Sequence, residues 1–149
     1  MKQIMYIMQF DGQVSSAQDS SGLEVKTYAE GCVINTVISS NGVGSTIEPI
    51  PGAKATFESQ VQLVGEASFQ ESGKITFGDS NHRLNFSSLK DGYIASSPDP
   101  KFKHGSITWN IDGGEGQFKN ASGLITSNFI LDDTSKVTEI HVGLIFVEE

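Results

Sequence analysis

This chain of 149 residues holds one arginine (Arg83), one cysteine (Cys32), one tryptophan (Trp109) and four prolines. Each scarcity excludes something. Ten basic residues against 18 acidic ones leave a formal net charge of −8. Nucleic-acid binding needs a basic surface that displaces counterions, so that function is excluded. Attraction to an anionic membrane surface is excluded for the same reason. A single cysteine cannot close an intramolecular disulfide, and a reducing, cytoplasmic setting is the simplest expectation. No apolar run approaches the length of a membrane-spanning helix. The N-terminal MKQIMYIMQF has too short an apolar core for a secretory signal and no small-residue cleavage site after it. It is expected as the first strand.

Helical periodicity is missing as well. No window of about a dozen residues free of Gly and Pro keeps an apolar stripe at i, i+3, i+4 and i+7. What the chain has instead is glycine, 16 residues spread along its length. Between the glycines lie short runs rich in Val, Ile, Phe and Thr. That rhythm predicts an all-β fold, a barrel or sandwich, in one domain over residues 1–149. Strands are expected at 2–10, 24–28, 32–39, 43–49, 55–64, 68–77, 82–88, 103–111, 124–131 and 137–147. Residues 13–22 and 96–101 are expected as loops. Asn41-Gly42 is expected as the two-residue turn of a hairpin, and Pro51-Gly52 as a second turn.

Side chains two apart on a strand share a face. Phe57, Ser59, Val61 and Leu63 therefore point one way, as do Ile107, Trp109 and Ile111, and as do His82, Leu84 and Phe86. Ile75 and Phe77 oppose Lys74 and Thr76. The last strand is apolar on both faces. Ile140, Val142, Leu144 and Phe146 form one, and the reverse face carries Gly143, Ile145 and Val147. A strand of this kind is covered on both sides. With Met5 and Ile7 of the first strand, Ile145 and Val147 are expected to form an outer patch. That patch predicts a homo-dimer or homo-trimer.

Motifs of catalysis are sparse. GGEGQ lacks the following helix that a phosphate-binding loop requires, so no nucleotide cofactor is expected. His82, His104, His141 and Cys32 have no metal-ligand spacing, so no metal is expected either. No G-x-S-x-G nucleophile elbow is present. Cys32 fits a small core residue. What remains is the barrel interior. Tyr6, Met8, Phe57, Ser59, His82, Phe86 and Trp109, with Leu84 beside them, are the candidates for the wall of an apolar ligand pocket. The same side chains would also serve simply to fill the barrel.

One stretch carries a resemblance. IDGGEGQFKNASG, followed by a strand, a polar turn and EIHVGLIFV, resembles the C-terminal part of the allene oxide cyclase-like barrels, which include the dirigent proteins. Gly113, Gly114, Gly116, Phe118, Ala121 and Gly123 match the pattern G-G-x-G-x-F-x-x-A-x-G. The chain is also similar to small bacterial proteins of unassigned function with that barrel. The resemblance covers about the last third of the chain. It implies a closed, calycin-like antiparallel barrel of about eight strands with a central cavity, often trimeric in the plant members. No catalytic residue carries over. Physically, Asp112-Gly113-Gly114 suits a tight turn, Gly116 and Gly123 suit a sharp corner, and Phe118 is expected to plug the core.

Three functions follow as expectations. The first is a non-catalytic module that binds a small hydrophobic molecule in its barrel. The second is an isomerase or cyclase, with His82 or Tyr6 transferring a proton. The third is an oligomeric structural protein with a filled barrel. A buried ionisable group of perturbed pKa would favour the second over the first.

Overall fold

The structure, a computed structural model, describes residues 1–19, 21–79 and 81–149. Among them lie nine strands: β1 (Lys2–Ser16), β2 (Leu23–Ser39), β3 (Gly42–Leu63), β4 (Ser68–Phe77), β5 (His82–Ser88), β6 (Gly92–Ser96), β7 (Phe102–Glu115), β8 (Ser122–Asp132) and β9 (Lys136–Val147). A single 3-10 turn, Gly116–Phe118, joins β7 to β8. All pairings are antiparallel.

The nine strands make one sheet that runs round in a ring. β1 pairs with β2, β2 with β3, β3 with β4, β7 with β8, β8 with β9, and β9 returns to β1. Between β4 and β7 the place is shared by two short strands, β5 towards one end and β6 towards the other. Nine strands thus fill eight positions. The ring is loosest between β1 and β2. Their register covers only Asp11–Ser16 of β1, so residues 2–10 pair with β9 alone.

The elements differ from the sequence expectation in instructive places. β1 continues to Ser16, through much of the loop expected at 13–22, because Val14 turns inward and its neighbours pair with β2. Ser20, in that same expected loop, lies outside the described residues. The four short strands expected between 24 and 64 are two long ones. Pro51-Gly52 is a bulge within β3, not a turn: Ile50 pairs with Gly31 and Lys54 with Glu30. Gly52 takes φ 144° there, a value only glycine adopts freely. At the hairpin tip Ser39 pairs with Gly42, so the two-residue loop is Ser40-Asn41. Gly42, φ 115°, sits beside the turn rather than in it. Residues 31–39 and 42–50 therefore form a two-stranded arm that leaves the ring at the Glu30/Gly31 irregularity.

Asp112-Gly113-Gly114 is likewise not a turn. β7 runs through it to Glu115, with a register shift opposite Leu84 to Phe86. The corner follows at Gly116, φ 60°, where a Cβ would strike the Asn81 carbonyl. Phe118 is buried and packs on Phe77 at 5.3 Å between ring centroids, as the plug expected of it.

The interior follows alternation on most strands. Phe57, Ser59 and Val61 point in from β3, Ile75 from β4, Leu84 and Phe86 from β5, and Ile107, Trp109 and Ile111 from β7. The last strand reverses expectation. Val137, Glu139, His141, Ile145 and Val147 are inside, while Val142 and Leu144 are on the surface. Ile145 and Val147 are thus core, not outer patch. Hydrophobicity misleads here because the outward face of β9 is more apolar than the inward face.

Candidate functional site

The ring interior has two halves. At the end closed by Phe118, aromatic rings fill the space. Phe57 stacks on Phe86 at 5.2 Å, Phe86 meets Trp109 at 4.5 Å, and Tyr6 meets Phe77 edge-on at 6.2 Å. Phe57, Phe86 and Trp109 are essentially inaccessible to water. At the other end the walls are apolar and mostly aliphatic. Val14, Leu23, Val25, Val61, Leu63, Phe69, Ile94, Phe129, Leu131 and Val137 surround an open cavity of about 70 Å³. Its two polar lining residues are Glu71 and Glu139.

Both carboxylates are buried, Glu71 at 6 % and Glu139 at 4 % exposure. Carboxylates reach this state only when hydrogen-bonded or protonated. Glu71 accepts from Ser59 Oγ at 2.5 Å, across the β3–β4 pair. Its own backbone N–H is held by Ser88 Oγ at 2.7 Å. Burial raises the Glu71 carboxyl to about 8, and the neighbouring Glu139 charge adds to the effect. At neutral pH Glu71 is therefore mostly a carboxylic acid, a hydrogen-bond donor in an apolar wall. The Trp109 indole N–H is close enough to oppose that rise weakly. It falls short of hydrogen-bond geometry and is otherwise unpartnered.

Glu139 is built differently. Thr27 Oγ1 donates to its Oε2 at 3.1 Å. His141 Nε2 lies 3.4 Å from the same oxygen, near enough for an ion pair but without the alignment of a hydrogen bond. On its far side His141 Nδ1 meets Tyr6 Oη at 3.3 Å. The imidazole is boxed by Phe10, stacked at 4.5 Å, with Trp109 and Phe57 edge-on at 5.1 and 5.3 Å. Burial pushes the Tyr6 phenol well above its ordinary value, and the Glu139 charge pushes it the same way. A polar thread therefore runs from Tyr6 through His141 to Glu139 and Thr27. Glu71 and Ser59 stand beside it.

The expected site residues scatter across this geometry. Tyr6, Phe57, Phe86 and Trp109 belong to the packed half and do not line the cavity. Ser59 is buried, 2 % exposed, and its role is to hold Glu71. Met8 is partly buried against the core. His82 is the correction: it is on the surface, where its Nδ1 accepts the Gln117 backbone N–H at 3.0 Å. Alternation fails for it because β5 begins there, at the rim beside the Gly116 corner.

Glu71, Glu139, His141 and Thr27 are the members the sequence reading missed. The signal for Glu71 was present. Phe69, Glu71, Gly73, Ile75 and Phe77 share one face at a spacing of two, and Gly73 only interrupts it visually. Glu139 and His141 had a weaker signal, since they share a face with Gly143 while the opposite face is wholly apolar.

No helix among the described residues is long and apolar enough to cross a membrane. Comparison with protein families, with characterised proteins and with solved structures finds no match to this chain.

Proposed function

We propose that this protein binds a small, mainly apolar molecule through the aliphatic end of its ring, with Glu71 as the polar contact. The observation that carries this is an apolar cavity at one end of the ring whose only polar lining residues are Glu71 and Glu139. Ligand sites combine apolar walls with a few placed polar groups. The cavity itself is small against the ~300 Å³ and upward typical of such sites. It takes the end of a molecule, and the exposed Leu63 and half-buried Phe129 and Leu131 at the mouth receive the rest.

The architecture agrees with this reading. Eight positions in meander order, with a glycine corner and a phenylalanine plug, support a closed barrel of the allene oxide cyclase-like kind. Barrels of eight strands lie at the boundary between a filled interior and one that holds a single small ligand. Here the boundary falls within one interior, filled at one end and open at the other.

A second reading, an isomerase or cyclase, is favoured by one observation: burial keeps Glu71 an acid at neutral pH, with Glu139 beside it. A carboxylic acid held neutral in a dry site is able to donate a proton or a hydrogen bond to a bound molecule.

Thermal unfolding in the presence of medium-chain alcohols, aldehydes and fatty acids tests both. A ligand at a hundred times its dissociation constant raises stability by about 2.7 kcal/mol. Val61→Trp, which fills the cavity, should abolish the response. Glu71→Gln should keep binding under the first reading and abolish turnover of a bound substrate under the second. If no member of the panel moves the melting temperature of the unaltered protein, the filled-ring reading replaces both.

A further inference from the structure

We infer that the 31–50 arm of one chain lies over the outer wall of β1, β8 and β9 of a second copy, and that the contact is reciprocal. The arm, counting both its faces, and the wall carry many of the large exposed hydrophobic side chains among the described residues. On the wall, Met5 sits opposite Leu144, which sits opposite Leu124. Ile7 and Val142 form the next row. Met5 is 76 % exposed. No charged side chain interrupts these rows.

Beyond its base, where Cys32 Sγ lies 3.9 Å from the Ile7 carbonyl of the same chain, the arm presents one apolar face with Ile38, Val43 and Ile47 exposed, while Val33, Val37 and Ile50 are exposed on the other. Cross-strand partners share a side of a ribbon. Ile34 pairs with Ile47, Thr36 with Ser45, and Ile38 with Val43, so all six lie on one face. The Thr36 and Ser45 hydroxyls bond each other at 3.0 Å, which satisfies one of their two O–H donors. Ile38 and Val43, at the tip, are 85 % and 72 % exposed. Glu48, the one charged residue of the arm, pairs with Val33 on the opposite face.

A second copy is the occupant because one chain carries both surfaces, an apolar arm tip and an apolar wall, and charge confines where two copies can meet. The chain carries a net charge of −8, so two copies repel across most of their surfaces. The arm face and the wall are the exceptions, both uncharged and apolar. Size selects a reciprocal contact. A ribbon of nine residues per strand is about 30 Å long and about 10 Å wide. One arm then covers about 300 Å² of wall. A one-way contact, both sides counted, buries about 600 Å² and falls among chance contacts, whereas a reciprocal pair buries about 1,200 Å² and reaches the lower limit of stable interfaces. A two-fold exchange also closes on itself and leaves no arm free to build a filament.

Sedimentation equilibrium of the full chain at micromolar concentration tests this. The expected mass is twice 16.0 kDa. Ile38→Asp at the arm tip and Met5→Asp on the wall each change an exposed residue, and circular dichroism checks that both variants remain folded. Each is expected to weaken association at least tenfold. A monomer, or a mass of three chains, overturns the inference. So does a dimer that survives Ile38→Asp, which means wall on wall, or one that survives Met5→Asp, which means arm on arm.

Discussion

The two ends of the ring interior are made from the same strands, yet they are different materials. At the Phe118 end, ring meets ring. At the other end, mostly aliphatic side chains and the Phe69–Phe129 pair stand around two carboxyls. The strands alternate in and out at both ends, so backbone geometry does not separate them. Side-chain choice does. β3 contributes Phe57 to one end and Ser59 and Val61 to the other; β4 contributes Ile75 and Phe77 to one and Glu71 and Phe69 to the other. Closely packed rings are at one end, and the cavity with its two buried carboxyls is at the other.

The largest effect that would sharpen this contrast is one of pH. Glu71 has a folded pKa of about 8 against an ordinary 4.5. The native state keeps a proton that the unfolded chain has already lost. The associated stability is fully present below about pH 4.5 and is lost as pH rises through about 8. The gap between the two values corresponds to something on the order of 5 kcal/mol. Urea midpoints should fall steadily between pH 5 and pH 9. Glu71→Gln keeps an acceptor for Ser59 but cannot ionise, so it should flatten most of that slope. An unchanged slope in the variant would show that Glu71 is ionised in the fold and that the aliphatic end holds no acid.

Next in size is the aromatic end. Trp109→Ala removes the largest fully buried side chain and leaves Phe57, Phe86 and His141 facing a void. A loss of about 3–5 kcal/mol is expected in denaturant unfolding. At the aliphatic end, Leu131→Ala should cost markedly less, about 1–2 kcal/mol, because that side chain is only partly buried and already borders open space. Equal costs at the two ends would dissolve the contrast.

Much of the fold was legible in the sequence, and the particular residues show why. Phe57, Val61, Leu84, Phe86, Ile107, Trp109 and Ile111 lie inside because their strands alternate cleanly. Phe118 plugs the core because the glycines on either side of it permit a corner. The site was largely illegible, for two physical reasons. On β9 the interior face is the more polar one, so a rule that apolar residues point inward inverts the strand and hides Glu139 and His141. On β4, Gly73 stands opposite Ser59 and reads as a break. A Cβ there would strike the Glu58 carbonyl of β3, so the glycine marks close strand contact within one continuous strand. The turns were misplaced for a related reason. Pro-Gly and Gly-Gly mark backbone irregularity, and in long twisted strands irregularity takes the form of bulges as readily as of turns.

The smallest predicted effect is the one that tests which end of the ring is open. Alternation alone would carry His82 into the interior, and a proton-transferring histidine there would make the Phe118 end the active one. Instead His82 is exposed, and its one recorded hydrogen bond is accepted from the Gln117 N–H at 3.0 Å. A hydrogen bond of this kind contributes about 1 kcal/mol net. Its donor sits in an exposed 3-10 turn where water is able to substitute. His82→Ala should therefore lower stability by no more than about 1 kcal/mol. It should leave untouched any ligand-induced rise in melting temperature, and any turnover, that Val61→Trp abolishes. The two variants form a matched pair at opposite ends of one interior. Should His82→Ala remove the ligand response while Val61→Trp preserves it, the molecule would be entered past the Gly116 corner. Phe118 would then be its gate rather than its plug.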